Sequence, residues 1–222
     1  MNEKEFDILR QYMVQVIMAH AVHASEQIGR ESLSQRVLEI MTKVPRHEFV
    51  PNEIRPYAYV DGPLPIGFDK TISQPFMAAL MTDLLEVNQG DVVLEVGTGL
   101  GYHSALLAEL ARQVYTVEIV EELWTQAKKN LASRGYKNVE MRLGDGARGW
   151  AEHAPFDKIL VAAAPELIPP LLLAQLKPGG RMVIPAGAQG SQQLMLVEKT
   201  AEGRTKTRDI LPVVFAGMEV AN

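Results

Sequence analysis

The chain has 222 residues, 47% of them hydrophobic and 22% charged, and its 22 basic and 27 acidic side chains leave a formal net charge of −5. That length suits one domain, or one domain with an extension, and the balance excludes a disordered chain and a broad cationic face for nucleic acid. Cysteine is absent, which excludes disulfides and thiolate chemistry and agrees with a reducing, cytoplasmic setting, and neither an export signal nor a membrane span is expected.

Up to about residue 85 the sequence reads as helices joined by proline-rich connectors. Phe6, Ile8, Leu9, Tyr12, Met13, Val16 and Ile17 recur at helical spacing and predict an amphipathic helix over roughly residues 3–24. A second helix is predicted over 32–42, carrying Leu33, Val37, Leu38 and Met41 and stopping before Pro45. Residues 45–67 hold Pro45, Pro51, Pro56, Pro63 and Pro65 and read as a stiffened surface segment. A third helix is expected to start near Gln74-Pro75, with Pro75 in its first turn and Ser73 as its cap.

From Asp91 onward, apolar strands at 92–96, 114–118, 139–143, 158–162 and 181–184 alternate with helices near 101–111, 121–133 and 168–176. Near-continuous apolar strands separated by helices predict a parallel sheet covered on both faces. Residues 193–199 and 207–215 flank Ala201-Glu202-Gly203 and read as an antiparallel hairpin. The expected fold class is α/β: a doubly wound, mostly parallel sheet with an N-terminal helical extension and a C-terminal hairpin. Residues 1–85 are expected to form a cover and substrate region, and 86–222 a ligand-binding core, as one structural unit.

The most informative stretch runs from Val92 to Tyr102, where a strand ends in Gly97-Thr98-Gly99-Leu100-Gly101 and a helix begins. Glycines there admit positive φ and close approach of a ligand at the carboxyl edge of the sheet. A dinucleotide fingerprint needs a small third residue at the position of Tyr102, whose ring would block helix–strand packing. The G-x-G-x-G spacing, with Glu95 ahead of it, looks instead like motif I of the S-adenosylmethionine-dependent methyltransferases. Glu118 closes the next strand, where a carboxylate can accept from both ribose hydroxyls. Asp145, between Gly144 and Gly146, follows the third strand and could meet an adenine amino group, or simply form a turn.

A narrower resemblance rests on Val44-Pro45-Arg46, Phe49-Val50-Pro51, Pro63-Leu64-Pro65-Ile66-Gly67 and Thr71-Ile72-Ser73-Gln74-Pro75, together with the glycine loop, Gly144-Asp145-Gly146, Ala154-Pro155-Phe156-Asp157 and Leu176-Lys177-Pro178-Gly179-Gly180. From about residue 32 to 215 the chain resembles the protein-L-isoaspartate O-methyltransferases, which have a Rossmann-like methyltransferase fold. The resemblance implies methylation of the free carboxylate of L-isoaspartyl residues in damaged proteins, with S-adenosyl-L-methionine as donor. It implies Ser73 at the reacting carboxylate and Ile72, Gln74, Glu95, Gly97, Thr98, Gly99, Gly101, Glu118, Asp145 and Gly146 around the cofactor, with no metal. Either Gln192 or Gln193 is expected to close over that cofactor, and a monomer acting on damaged proteins, away from nucleic acid and membranes, is expected. Departures from the family pattern are Ala162, where threonine is common, His103-Ser104 after Gly101-Tyr102, and Leu167, where an acid is frequent.

This chemistry needs little machinery. An aspartate-like carboxylate has an unperturbed pKa of about 3.9 and is already ionised at neutral pH. The protein must align reactants and exclude water, which can lower a barrier by roughly 7–11 kcal/mol. Spacing alone favours Ser73 as a cap, whereas the resemblance favours it as a hydrogen-bond donor to the acceptor. The N-terminal helices and Pro63–Gly67 are expected to hold an extended peptide over the site. His20 and His23 read as packed or surface histidines rather than metal ligands. Two alternatives stay open: a methyltransferase for another carboxylate or a small metabolite, and a cofactor-binding module that no longer transfers methyl groups.

Overall fold

A computed structural model describes residues 1–220. Helix α1 (Glu3–His23) opens on a reciprocal cap in which the Asn2 side chain accepts from the Glu5 amide and the Glu5 carboxylate accepts from the Asn2 amide. That satisfies two of the donors a helix start leaves open. The short α2 (Ser25–Ile28) follows, and α3 (Gln35–Lys43) begins at Ser34, whose hydroxyl accepts from the Val37 amide. It starts later than expected because Asp83 holds the Ser34 amide at 2.8 Å, outside the helix.

Between α3 and the next helix the proline-rich stretch contains more structure than its composition suggests. Strands β1 (Leu64–Gly67) and β2 (Lys70–Ile72) form an antiparallel hairpin turned by Phe68 and Asp69, both left-handed, at φ 55° and 53°. A two-stranded sheet has free edges, so Pro65 can sit in it without breaking a ladder. Helix α4 (Pro75–Leu85) then starts with Pro75 in its first turn. Its cap is Gln74 rather than Ser73, and no side chain bonds the cap position. The helix begins immediately at Pro75, so Ser73 stands one residue too early for the capping role.

The described residues form a main sheet of β3 (Val92–Val96), β4 (Gln113–Glu118), β5 (Val139–Leu143), β6 (Phe156–Val161), β7 (Leu176–Ala186), β8 (Gln193–Lys199) and β9 (Thr205–Pro212). The order is β5-β4-β3-β6-β7-β8-β9, parallel through β7 and antiparallel for the last two strands. Helices α5 (Tyr102–Ala108), α6 (Glu121–Ser133) and α7 (Pro170–Gln175) are the connections. Strand β7 starts earlier than expected, pairing Leu176 with Phe156 before its register shifts. Strand β9 stops at Pro212, short of the expected Phe215, and the chain beyond it turns to line a cavity.

Each face of the sheet has its own apolar cluster. One joins Leu94, Val96, Val117, Phe156, Ile159, Leu172 and Ile184. The other runs without a break from Ile17 and Met41 through Leu80 and Leu84 to Leu106 and Val183. Full burial of such a side chain contributes about 1.5–3 kcal/mol. The core therefore crosses residue 85, and α4 packs on β6 and β7. Among the described residues no helix is long and apolar enough to cross a membrane.

Candidate active site

Strand β3 lies between β4 and β6, which are reached by connections leaving in opposite directions. A crevice opens at the carboxyl ends of strands at such a switch point. Here the Gly97 amide donates to Val117 O and the Ala162 amide to Val96 O, each at 2.8 Å, so the glycine loop begins where the three strands diverge. Above it lies a cavity of about 720 Å³, within the usual range for a small-molecule site.

One wall is the glycine loop, contributed by Gly97, Thr98 and Gly99, with Glu118 beside it. The Glu118 carboxylate is held by three backbone amides, accepting from Gly99 on Oε2 (2.8 Å) and from Ile119 and Val120 on Oε1 (2.9 and 3.0 Å). A carboxylate has about four acceptor sites, so two ribose hydroxyls would share the oxygen that also holds Gly99. Gly146 completes this side, and a Cβ there would stand 2.3 Å from Val96 Cγ1, so only glycine fits.

The loop between β2 and α4 brings Ile72, Ser73 and Gln74 to the same cavity. Arg46 braces this loop from below. It is fully buried, donating from Nε to Ala58 O (2.8 Å) and from Nη2 to Ser73 O (2.7 Å), with its guanidinium carbon 5.0 Å from the centre of the Tyr102 ring. Burial pulls its pKa down to about 10. His103 also reaches the cavity, sharing a 2.9 Å hydrogen bond with Thr82 Oγ1. Burial, reinforced by the Arg46 charge, lowers its pKa to about 3, so it is neutral at physiological pH. The rim is closed by Phe215, Met218 and the Lys70–Glu219 ion pair.

Eight of the expected residues thus share one cavity: Ile72, Ser73, Gln74, Gly97, Thr98, Gly99, Glu118 and Gly146. Three do not line it. Strand alternation turns Glu95 away from the face that carries Val96, and its Oε2 accepts from Thr116 (2.7 Å) and from the Ser104 hydroxyl. Burial raises that carboxyl to about 7, partly offset by those two hydrogen bonds. Gly101, at φ 89°, faces α6, where an added Cβ would meet Leu131 at 3.1 Å. Asp145 accepts from the Ala147 amide (2.9 Å) to cap the turn Gly146–Arg148.

The two candidate glutamines both line the cavity and differ in their bonding. Gln192 donates from Nε2 to Phe215 O (3.1 Å) and accepts from the Phe215 amide (2.6 Å), so its amide is spent on holding the rim. Gln193 borders the same cavity from β8. Sequence reading missed Arg46 as a brace, His20 as a cavity residue and the rim beyond Pro212. Arg46 had a signal, since it sits in Val44-Pro45-Arg46, but nothing local announces a partner 27 residues away.

Over residues 19–220 the chain matches the family model described as protein-L-isoaspartate(D-aspartate) O-methyltransferase. A curated protein from Polaromonas sp. (strain JS666), named protein-L-isoaspartate O-methyltransferase 1, is 59% identical over 100% of this chain and 94% of its own length. A solved protein-L-isoaspartate O-methyltransferase is 26% identical, superposing with a TM-score of 0.81 over 94% of this chain and 65% of that one. A Plasmodium falciparum structure in complex with S-adenosyl-L-homocysteine is 22% identical and shares the fold, with a TM-score of 0.75 over 92% of this chain and 97% of that one.

Proposed function

The chain belongs to the protein-L-isoaspartate(D-aspartate) O-methyltransferase family, and on that premise we propose that it methylates the free carboxylate of L-isoaspartyl residues in damaged proteins, using S-adenosyl-L-methionine. The observation that carries the reading is that Ser73 lines one and the same cavity as Gly97, Gly99 and Glu118.

The residues fit such a cofactor. The cavity has the volume for it, Gly146 lines it at a point where packing on Val96 admits no side chain, and the fixed Glu118 carboxylate offers a hydroxyl acceptor. Gly97, Thr98, Gly99, Glu118 and Gly146 would hold it, with Ile72 and Gln193 alongside. When bound, S-adenosyl-L-methionine supplies a methyl group on a sulfonium whose leaving group is a neutral thioether.

The chain's own residues have positioning work to do. The acceptor carboxylate is ionised without help, so no base is required, and neutral His103 takes no proton at physiological pH. Ser73 donates its hydroxyl proton in a hydrogen bond that orients the carboxylate, and Arg46 fixes the backbone that carries it. Ile66, Ile72, Met77 and Phe215 give the cavity an apolar lining that excludes water. The hairpin β1–β2 and α1 form a cover for an extended peptide. A monomer suffices, because one chain supplies every residue named around the cavity, and a chain without cysteine fits a reducing, cytoplasmic setting.

The test uses labelled donor and two peptides that differ only in aspartyl or isoaspartyl linkage. Base-labile label on the isoaspartyl peptide alone is expected. Equal labelling of both, or of neither while calorimetry detects donor binding, overturns the reading.

A further inference from the structure

The side-chain amide of Gln74 is held in one orientation by a chain of contacts that begins on α1. Gln74 Nε2 donates to Asp61 Oδ1 at 3.0 Å, and Asp61 Oδ2 pairs with His20 Nε2 at 2.5 Å. His20 is located in turn by stacking on Phe76, with ring centroids 5.2 Å apart and planes inclined by 29°. An ionised carboxylate only accepts hydrogen bonds, so Asp61 draws an N–H from each neighbour. The two ends of a glutamine amide are nearly identical in shape. The carboxylate therefore decides which end faces which way: NH2 toward Asp61 and Oε1 away from it. No described residue donates to Oε1, and Gln74 borders the cavity next to Ser73.

We propose, resting on the isoaspartyl reading above, that Gln74 Oε1 accepts a hydrogen bond from one of the two backbone amides flanking the acceptor residue. The His20–Asp61 pair is the positioning device that keeps the carbonyl end of Gln74 on the acceptor side. Three features favour the acceptor over the cofactor. Gln74 adjoins Ser73, its partners His20 and Asp61 both belong to the N-terminal region, and among the described residues its amide is hydrogen-bonded to Asp61 and not to the glycine loop or Glu118. The consequence is specificity. A peptide with an N–H at that place binds, and one N-alkylated there loses a partner and leaves a carbonyl unpaired.

The experiment compares an isoaspartyl peptide with two versions N-methylated at the amide before or after the isoaspartyl residue. Each is assayed with wild type, Gln74→Ala and Asp61→Asn, and donor affinity is measured by calorimetry on the same proteins. For wild type, one of the two N-methyl groups should lower kcat/KM by about tenfold, mostly through KM. Gln74→Ala should bring that ratio close to one with donor affinity unchanged. Asp61→Asn should give an intermediate ratio, because an asparagine amide can present either end to Gln74. The proposal is overturned by a ratio that Gln74→Ala leaves intact, or by Gln74→Ala weakening donor binding while the ratio persists. Full discrimination in Asp61→Asn overturns the positioning role. No methylation of the unmodified peptide by wild type overturns the functional reading and this inference with it, whereas methylation with equal rates for all three peptides overturns this inference alone.

Discussion

Arg46 Nη2 donates to the carbonyl of Ser73 at 2.7 Å, and no carboxylate pairs with that guanidinium among the described residues. The charge is buried for its geometry, not for an ion pair. Arg46→Met removes the charge but leaves the Ala58 and Ser73 carbonyls without their donor, at about 1–3 kcal/mol each. Arg46→Met should therefore lower the melting temperature by about 5 °C or more and, in the protein that remains folded, lose roughly tenfold or more in kcat, because the Ser73 backbone is released. Thermal melts and initial rates at saturating peptide check this; unaltered kcat refutes the brace.

Ser73→Ala isolates the hydroxyl. Helix α4 is capped at Gln74 without a side-chain bond, so removing the Ser73 oxygen takes nothing from the helix. Stability should change by less than about 0.5 kcal/mol. A hydrogen bond to a charged acceptor is worth about 1.5–3 kcal/mol, so turnover should fall roughly tenfold to a hundredfold with donor affinity preserved. A melt shifted as far as the rate would return Ser73 to a structural role.

Glu95 makes stability depend on pH. Burial raises its pKa from 4.5 to about 7 in the folded chain. Between those values the folded state binds a proton that the unfolded state has released, so stability falls as pH rises through that window and levels off above it. The full effect is on the order of 3 kcal/mol. Glu95→Gln keeps an acceptor for Ser104 and Thr116 and cannot ionise. It should match wild type near pH 4.5 and exceed it at pH 8, as denaturant melts at both values would reveal. Parallel wild-type and variant curves would count against a buried, titrating Glu95.

Gly146→Ala tests the close approach of the third loop to β3. Its Cβ would lie 2.3 Å from Val96 Cγ1, and overpacking of this kind costs about 1–3 kcal/mol. Because Gly146 is not among the positive-φ glycines, the penalty is steric and should be relieved by Val96→Ala. A double-mutant cycle without coupling would contradict that cause.

What was legible in the sequence was local. An apolar strand, alternating glycines and a helix occupy eleven consecutive residues, so Gly97, Gly99 and their sheet could be read from pattern alone. Glu95 and Gly101 lie in the same motif but do not line the cavity, because the motif does not say which way a strand's pleat or a turn aims a residue. By spacing alone Ser73 reads as a cap, and by the family resemblance as a donor to the acceptor; the observed start of α4 puts the cap at Gln74. Strand β1 is masked by Pro65, which a short edge strand tolerates, and β2 is only three residues long. Least legible was His20. The sequence pairs it with His23 on the same helix, whereas its partner, Asp61, lies 41 residues away and is brought near only by tertiary packing.

The two residues of the acceptor loop are each gripped from upstream, Ser73 by Arg46 and Gln74 by Asp61. Chimeras that exchange amino-terminal segments between relatives thus have unequal prospects. A recombination breakpoint inside residues 62–72 separates each grip from what it grips, and survives only when the donor parent brings arginine and aspartate at those places. A breakpoint after α4 transfers the whole assembly intact, so shuffled libraries should recover active progeny mainly from junctions there.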